Sequence, residues 1–324
     1  MNTTATSPAS FTVLVATANR ADALRRTLRS LSRLDAAGLC WRVIVVDNAS
    51  ADDTQQVLAE LVAGGVLPLT TLYEPGRGKS RALNLGLSCI DRGLVLFVDD
   101  DIEVRQDWLR AYAEAEARWP DRGIFGGPIV PVFPPGAPAW VQDDQYVNQS
   151  SMFGAYHPLH EQGLTTDLPL GANMAIRREV IGDNRFDERF GPGGDYHAMG
   201  CETEFEARLM RQGQTHFVFV PGAQVKHSVR PEQLSRDAVW QRAYKWGRSL
   251  ALSDPRWRER RRLFGVPLRY GFAAMRAFLR YAPFWLGPRH MNLKYGWQWQ
   301  VRAGRVRGYL ERQACQRRAA QLGL

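Results

Sequence analysis

Residues 94–104 read LVLFVDDDIEV, so five apolar residues run directly into Asp99, Asp100 and Asp101. Three adjacent carboxylates repel one another, and a positive species must be present to hold them together. A hard divalent cation takes carboxylate oxygens and meets that need. In an extended segment side chains alternate, which puts Asp99 and Asp101 on one side, able to share an ion. Asp100 then points the other way, toward backbone donors or a sugar hydroxyl. The plain structural alternative is a set of turn or N-cap aspartates at a strand end.

Two further clusters could do chemistry. VVDNAS ends a β-branched run in Asp47, where an acid accepts hydrogen bonds from a ribose or base, or else caps a turn. EPGRGKSRALNLGL sets Arg77, Lys79 and Arg81 around two glycines at a helix start, a place for phosphate or simply a basic loop. No GxGxxG follows the first strand and no GxxxxGK[ST] occurs at a strand-to-helix junction. A dinucleotide cofactor and a P-loop are therefore not expected.

The elements that must position these residues alternate. FTVLVATANR, WRVIVVDNAS, LPLTTLYE and GLVLFVDDD read as buried strands. Between them, ADALRRTLRSLSRL repeats Leu24, Leu28, Leu31 and Leu34 at helical spacing. SADDTQQVLAELV reads as a second helix with Ser50 as N-cap, and Leu83, Leu87 and Ile90 mark a third. Such alternation predicts a parallel sheet with helices on both faces, with Thr17, Asp47, Glu74 and Asp99 at its carboxyl edge. From residue 123 the rhythm breaks, and the stretch to about 165 reads as irregular. THFVFVPGAQVKH reads as one later strand, and the chain beyond about 230 as helical and basic.

Taken in order, these motifs resemble glycosyltransferase family 2, the inverting nucleotide-sugar transferases of GT-A fold. LGANMAIRR and GCETEF resemble the family's G-x-N-x-x-[FI]-R-R and GEDTEF segments. The resemblance covers residues 11–250 and implies an α/β fold, Rossmann-like, with a mostly parallel mixed sheet flanked by helices. It implies a nucleoside site at Thr17, Asn19, Arg20 and Asp47, and a ribose and diphosphate site at Lys79, Arg81 and Asn84. Asp99 and Asp101 would hold Mg²⁺ or Mn²⁺ against the diphosphate, with Asp100 beside the donor sugar. Glu202 stands where the family has its catalytic Asp, and Cys201 where it has the preceding acid; Glu204 and Asp195 are the other candidates for the base. His227 resembles the histidine that completes the metal shell in galactofuranosyl transferases; otherwise it is a strand-end residue. Leu170, Gly171, Ala172 and Asn173 are expected to floor the donor sugar or acceptor. Trp140, Tyr146 and Trp246 are either sugar platforms or core.

The expected organisation is a disordered leader (1–9), a catalytic domain (10–230, with halves 10–122 and 123–230) and a basic helical region (231–324). The net charge of +9 is unevenly spread: from Lys226 onward 22 Lys and Arg face 5 Asp and Glu. That asymmetry suggests an anionic partner. Residues 256–287 hold no uncharged run long enough to span a bilayer. Arg262, Arg269, Arg276 and Arg280 fall on one stripe beside Phe264, Phe272, Phe278, Phe284 and Trp285. The segment reads either as an interfacial membrane helix or as a helix packed on the catalytic domain, with Pro267 and Pro283 as breaks. No nucleic-acid reader module is present, so nucleic acid is not expected. Four unpaired cysteines and an N-terminus without a secretion signal point to a cytoplasmic protein, or one at the inner face of the membrane. The expected reaction is transfer from a nucleoside diphosphate sugar, UDP by resemblance, to a glycan or lipid-linked acceptor. A sugar-phosphate nucleotidyltransferase and a catalytically silent membrane scaffold are the competing readings.

Overall fold

A computed structural model describes residues 10–142, 152–194, 199–214, 216–254, 261–287 and 289–321. The expected leader, Asp195 and Tyr146 lie outside the described residues. The chain divides into two compact units. One comprises Met1–Val132, Gly154–Gly194 and Cys201–Ser228, the other Phe133–Phe153, Asp195–Gly200 and Val229–Leu324.

The first unit opens with β1 (Ser10–Thr17), β2 (Cys40–Asp47), β3 (Leu69–Tyr73) and β4 (Leu94–Val98). It continues with β5 (Ile102–Val104), β6 (Ile124–Gly126), β7 (Ile129–Val132), β8 (Gly163–Thr165), β9 (Asn173–Arg177), β10 (Phe217–Phe219) and β11 (Val225–Ser228). Eight of these form a sheet in the order β3-β2-β1-β4-β9-β6-β10-β8, and β5-β11-β7 form a second. The first four strands are parallel, and β9 runs antiparallel between β4 and β6. Val13, Leu14, Val15, Val43, Ile44 and Val45 are fully buried, as continuous β-branched runs require in a sheet covered on both faces. Helix α1 (Ala21–Leu31) buries Leu24, Leu28 and Leu31 along one face. Helices α2 (Thr54–Gly64), α3 (Lys79–Ser88) and α4 (Trp108–Arg118) follow strands β2, β3 and β5.

Three expectations are corrected. Helix α2 starts at Thr54 and Ser50 does not cap it; the Asp52 carboxylate accepts from Thr54 N instead, at 3.1 Å. The stretch after residue 123 holds an interior strand of the large sheet, β6, whose three residues are too few to show a period. THFVFVPGAQVKH is two strands in two sheets, because Pro221 and Gly222 turn the chain between β10 and β11. That turn matters for the site. It lets β11 pair with β5 so that His227 stands opposite Ile102, one residue past the acidic triplet.

Helix α5 (Cys201–Arg211) belongs to the first unit. The second unit is helical: α6 (Arg236–Leu252), a short hairpin of β12 (Arg262–Leu263) and β13 (Val266–Pro267), α7 (Leu268–Tyr281) and α8 (Arg289–Gln321). Helices α6 and α8 approach backbone to backbone. A Cβ on Gly247 would sit 1.8 Å from the Val301 carbonyl oxygen, and one on Gly304 2.0 Å from that of Tyr244. Trp140 packs on Phe153 within an apolar cluster of this unit, so its ring is core. Pro267 and the 3-10 turn containing Pro283 bound α7 on either side. Arg262 lies in the hairpin, off the helical stripe expected for it. Among the described residues no helix is long and apolar enough to cross a membrane.

Candidate active site

The acidic triplet occupies the turn between β4 and β5 and is not extended, yet its side chains still divide as expected. Asp100 is the inward one. It is 5% exposed and accepts hydrogen bonds from Thr17 Oγ1 and Arg20 Nη1, each at 2.7 Å. Arg20 Nη1 also reaches Asp101 Oδ2 at 2.7 Å, so one guanidinium holds two adjacent acids. Thr27 Oγ1 donates to the backbone carbonyls of Asp100 and Ile102 and fixes the turn from beneath. Burial pushes the Asp100 carboxyl up against the pull of Arg20. Asp101 is also raised by burial, but the hydrogen bond and charge of His227, then Arg20, outweigh this and bring it to about 2.

Asp99, Asp101 and His227 each offer a ligand atom, and these atoms lie within 4.8 Å of one another. His227 Nε2 faces Asp101 Oδ1 at 3.2 Å, and that oxygen is buried without a well-directed hydrogen bond. A buried carboxylate oxygen left in that state calls for a partner. Two carboxylates and an imidazole form a donor set for a divalent ion, so the residues present fit one.

The second half of the site is a chain of charges. Lys79 Nζ donates to Asp99 Oδ1 at 2.5 Å and to Glu202 Oε1 at 2.7 Å, which ties the triplet to the head of α5. Burial works against the ammonium, but Asp99 and Glu202 raise it well above its ordinary range. Burial pushes Glu202 up, and the charge and hydrogen bond of Lys79 with the Cys201 thiol outweigh it, leaving the carboxyl lowered. Cys201 is fully buried, its thiol raised by burial and by Glu202, and it donates to Glu202 Oε2 at 3.1 Å. Gly171 makes room: a Cβ there would fall 2.3 Å from Glu202 Cγ. Glu204 instead pairs with Arg208 at 2.9 Å.

The loop carrying Lys79 is held by a residue that the sequence reading passed over. Asn48 accepts from Gly78 N at 2.7 Å and donates to the carbonyls of Gly76 (2.6 Å) and Glu74 (3.2 Å). Its only sequence signal is a short amide beside Asp47 at a strand end, where such side chains bond to backbone. From the other side, Lys79 N donates to Pro192 O and Ser80 Oγ to Phe190 O, docking the FGPGG loop. Asn84 is spent on the chain just before that loop, exchanging two hydrogen bonds with the Phe186 backbone. Arg81 pairs with Glu188 at 3.0 Å.

Asp47 is 2% exposed; Oδ1 accepts from Ser50 N at 3.1 Å and Oδ2 has no hydrogen bond. Asn19, at φ 55°, exchanges hydrogen bonds with Ala51 N and Ser50 Oγ, which joins the first two strand ends. Asn173 does not face the site. Fully buried, it accepts from Trp108 Nε1 and Tyr112 Oη and donates to Pro128 O and Ala223 O, a hub of the core.

The family model for glycosyl transferase family 2 matches residues 12–184, more than half of the chain. The chain belongs to glycosyl transferase family 2. Family membership favours a glycosyltransferase over a nucleotidyltransferase. Among curated relatives of this transferase, the pre-mycofactocin glycosyltransferase of Mycobacterium tuberculosis is 26% identical over 253 residues, 75% of this chain and 47% of that protein. Glycosyltransferase AglE of Haloferax volcanii is 22% identical over 187 residues, 57% of this chain and 58% of that one. The chain thus spans about half the length of the curated relatives it matches. Two solved structures share its fold. The mannosyltransferase PcManGT of Pyrobaculum calidifontis, in complex with GDP-Man and Mn²⁺, has a TM-score of 0.55 at 18% identity and covers 98% of this chain and 81% of that one. GalNAc-T7 with UDP, GalNAc and Mn²⁺ has a TM-score of 0.57 at 17% identity, covering 83% and 51%. The family 2 enzyme therefore has the GT-A fold with a helical C-terminal region.

Proposed function

We propose that this family 2 enzyme is a metal-dependent inverting transferase. It moves a sugar from a nucleoside diphosphate, UDP in the first instance, to a hydroxyl of a glycan or lipid-linked saccharide in polysaccharide or glycoconjugate assembly. The observation that carries the reading is the joining, through Lys79, of the Asp99, Asp101 and His227 cluster to the half-buried carboxylate of Glu202. Asp99, Asp101 and His227 would hold the cation, and the mixed oxygen and nitrogen set would suit Mn²⁺ better than Mg²⁺. When bound, the cation supplies charge neutralisation for the diphosphate leaving group.

The remaining work falls to the chain's own groups. The unbonded Oδ2 of Asp47, on β2 opposite Thr17, receives the nucleoside near the Asn19 and Arg20 loop. Lys79 and Arg81 frame the ribose and diphosphate, and Asn84 holds the neighbouring backbone at Phe186. Asp100, anchored by Thr17 and Arg20, fixes the turn beside the donor sugar. Glu202 takes the proton of the acceptor hydroxyl as that oxygen attacks the anomeric carbon on the face opposite the leaving group. A lowered carboxyl is ionised at neutral pH and so able to act as base. The catalytic domain, residues 10–230, would do this chemistry while residues 231–324 serve the acceptor side at the cytoplasmic face of a membrane.

The test is nucleoside diphosphate release from a panel of UDP and GDP sugars, with and without Mn²⁺. Absence of release with every donor, together with absence of calorimetric nucleotide binding, would end the proposal. Asp101→Asn should abolish Mn²⁺ binding and metal-dependent turnover with the melting curve little changed. Full turnover by that variant would show that the cation binds elsewhere.

A further inference from the structure

Helix α7 in the second unit is two-faced in an unusual sense. Its inward face is Tyr270, Ala274, Ala277 and Tyr281, of which the last three are buried. The opposite face is apolar as well. Leu268, Phe272, Met275 and Leu279 are 39%, 63%, 54% and 63% exposed. At 3.6 residues per turn these four lie on one narrow stripe, turned away from the packed side. Arg269, Arg276 and Arg280 form a second exposed stripe along one edge of the first. Trp285 and Leu286, 61% and 97% exposed, extend the apolar surface past the helix end, while Phe284 turns in to stack on Tyr295.

Nine of the sixteen exposed large hydrophobic side chains among the described residues fall between Leu263 and Leu286. Scattered surface leucines need no explanation, but a concentration of this kind marks a docking surface. Charge says what docks. No Asp or Glu occurs between Glu259 and Glu311, an interval that holds eleven Lys and Arg. A second copy presenting the same face would set arginine against arginine. A nucleic acid would use the arginines and leave Phe272, Met275 and Leu279 in water. A bilayer surface with anionic headgroups uses both stripes at once, the apolar one among acyl chains and the basic one at the phosphates.

We propose that α7 and the turn after it form a peripheral docking surface for an anionic lipid bilayer, with α7 lying in the plane of the interface. This deepens the reading of a lipid-linked or membrane-associated acceptor, but it stands on its own observations.

Flotation of the full chain with vesicles of phosphatidylcholine, alone or mixed with phosphatidylglycerol, tests it. The chain should float with the mixed vesicles and much less with phosphatidylcholine alone, and added salt should weaken but not abolish the binding. Phe272→Ser with Leu279→Ser should lower partitioning by about tenfold or more. Arg276→Glu with Arg280→Glu should do so on anionic vesicles only, by at least about tenfold. All four positions face solvent, so melting curves and nucleoside diphosphate release with a water-soluble acceptor should not change. Failure to float, or flotation indifferent to both pairs of changes, overturns the proposal. So does a chain that is dimeric without lipid and becomes monomeric in Phe272→Ser with Leu279→Ser, which would assign the face to self-association. Each of these results leaves the transfer reaction standing, because release is measured separately.

Discussion

Gly171→Ala is the sharpest probe of the base, because it adds one methyl group and touches little else. The new Cβ would lie 2.3 Å from Glu202 Cγ and 2.6 Å from both Cδ and Oε1. Carbon atoms rest about 3.5–4.0 Å apart, so the overlap exceeds about 1 Å and something must move. Gly171 is not among the residues at positive φ, so alanine brings no backbone strain. Glu202 is a flexible side chain and gives way first, leaving the 2.7 Å contact with Lys79. Displacing a catalytic group by about 1 Å costs on the order of a hundredfold in turnover, which is about 2.7 kcal/mol of barrier. Initial rates at saturating donor and acceptor should show that loss in kcat, with little change in donor KM, because Asp47 and Thr17 are not neighbours of the added methyl. Combining the change with Glu202→Gln should be no worse than Glu202→Gln alone, since both remove one function. Turnover of Gly171→Ala within about threefold of the parent would refute the steric argument, a threefold change being under 1 kcal/mol. Loss of turnover in Gly171→Ala, with Glu202→Gln fully active, would take the role of base away from Glu202.

Two other perturbations read the electrostatics directly. Glu206 lies one turn beyond Glu202, is fully buried with neither carboxylate oxygen hydrogen-bonded, and is raised well above the ordinary 4.5 by burial and by the charge of Glu202. The folded state then keeps a proton that the unfolded chain releases, so stability falls as pH climbs above 4.5, by about 1.4 kcal/mol per pH unit while that proton is held. Glu206→Gln should flatten the curve of urea-unfolding stability against pH, gaining on the parent as pH rises; parallel curves would show that Glu206 is not the group responsible. Lys79→Met removes the charge that outweighs burial at Glu202, so the acid limb of kcat/KM should move to higher pH, and an unmoved limb would mean that Lys79 does not tune the base.

Much of the first unit was legible because its strands are long, apolar and β-branched, and because Leu24, Leu28 and Leu31 keep a helical period. Short elements left no such trace. The three residues of β6 sit inside the sheet, but the strand ends in Gly126 and is followed by Gly127 and Pro128, a composition that reads as loop. Pairings over long sequence separations were equally invisible. Lys79 and Glu202 stand 123 residues apart, and nothing in either motif says that one ammonium joins them. Asn173 shows the limit of motif matching: its segment was found, but the side chain serves Trp108 and Tyr112 in the core and not the sugar. For the triplet, Asp99 and Asp101 each bring an oxygen to the cluster with His227, although the alternation argued for them did not apply. A turn, and not a pleat, divides them.

That turn also explains why three adjacent acids are not interchangeable. Four carboxylates (Asp99, Asp100, Asp101 and Glu202) meet two fixed cations, Arg20 and Lys79, so, His227 aside, the cluster carries two negative charges. Arg20 is committed to the inner pair, and with Thr17 it satisfies Asp100, the most enclosed of the three. Lys79 is committed to the outer pair, Asp99 and Glu202. The surplus therefore collects where neither cation is enough, at Asp101 Oδ1 beside His227 Nε2. A single divalent ion would balance it, and among the described residues the donor atoms converge only there. Replacing Asp100 by Asn would loosen the turn and its hold on Arg20, whereas replacing Asp101 removes a charge from the point of convergence itself. The position of each acid on the turn, more than the number of acids, decides which of them can act on a ligand.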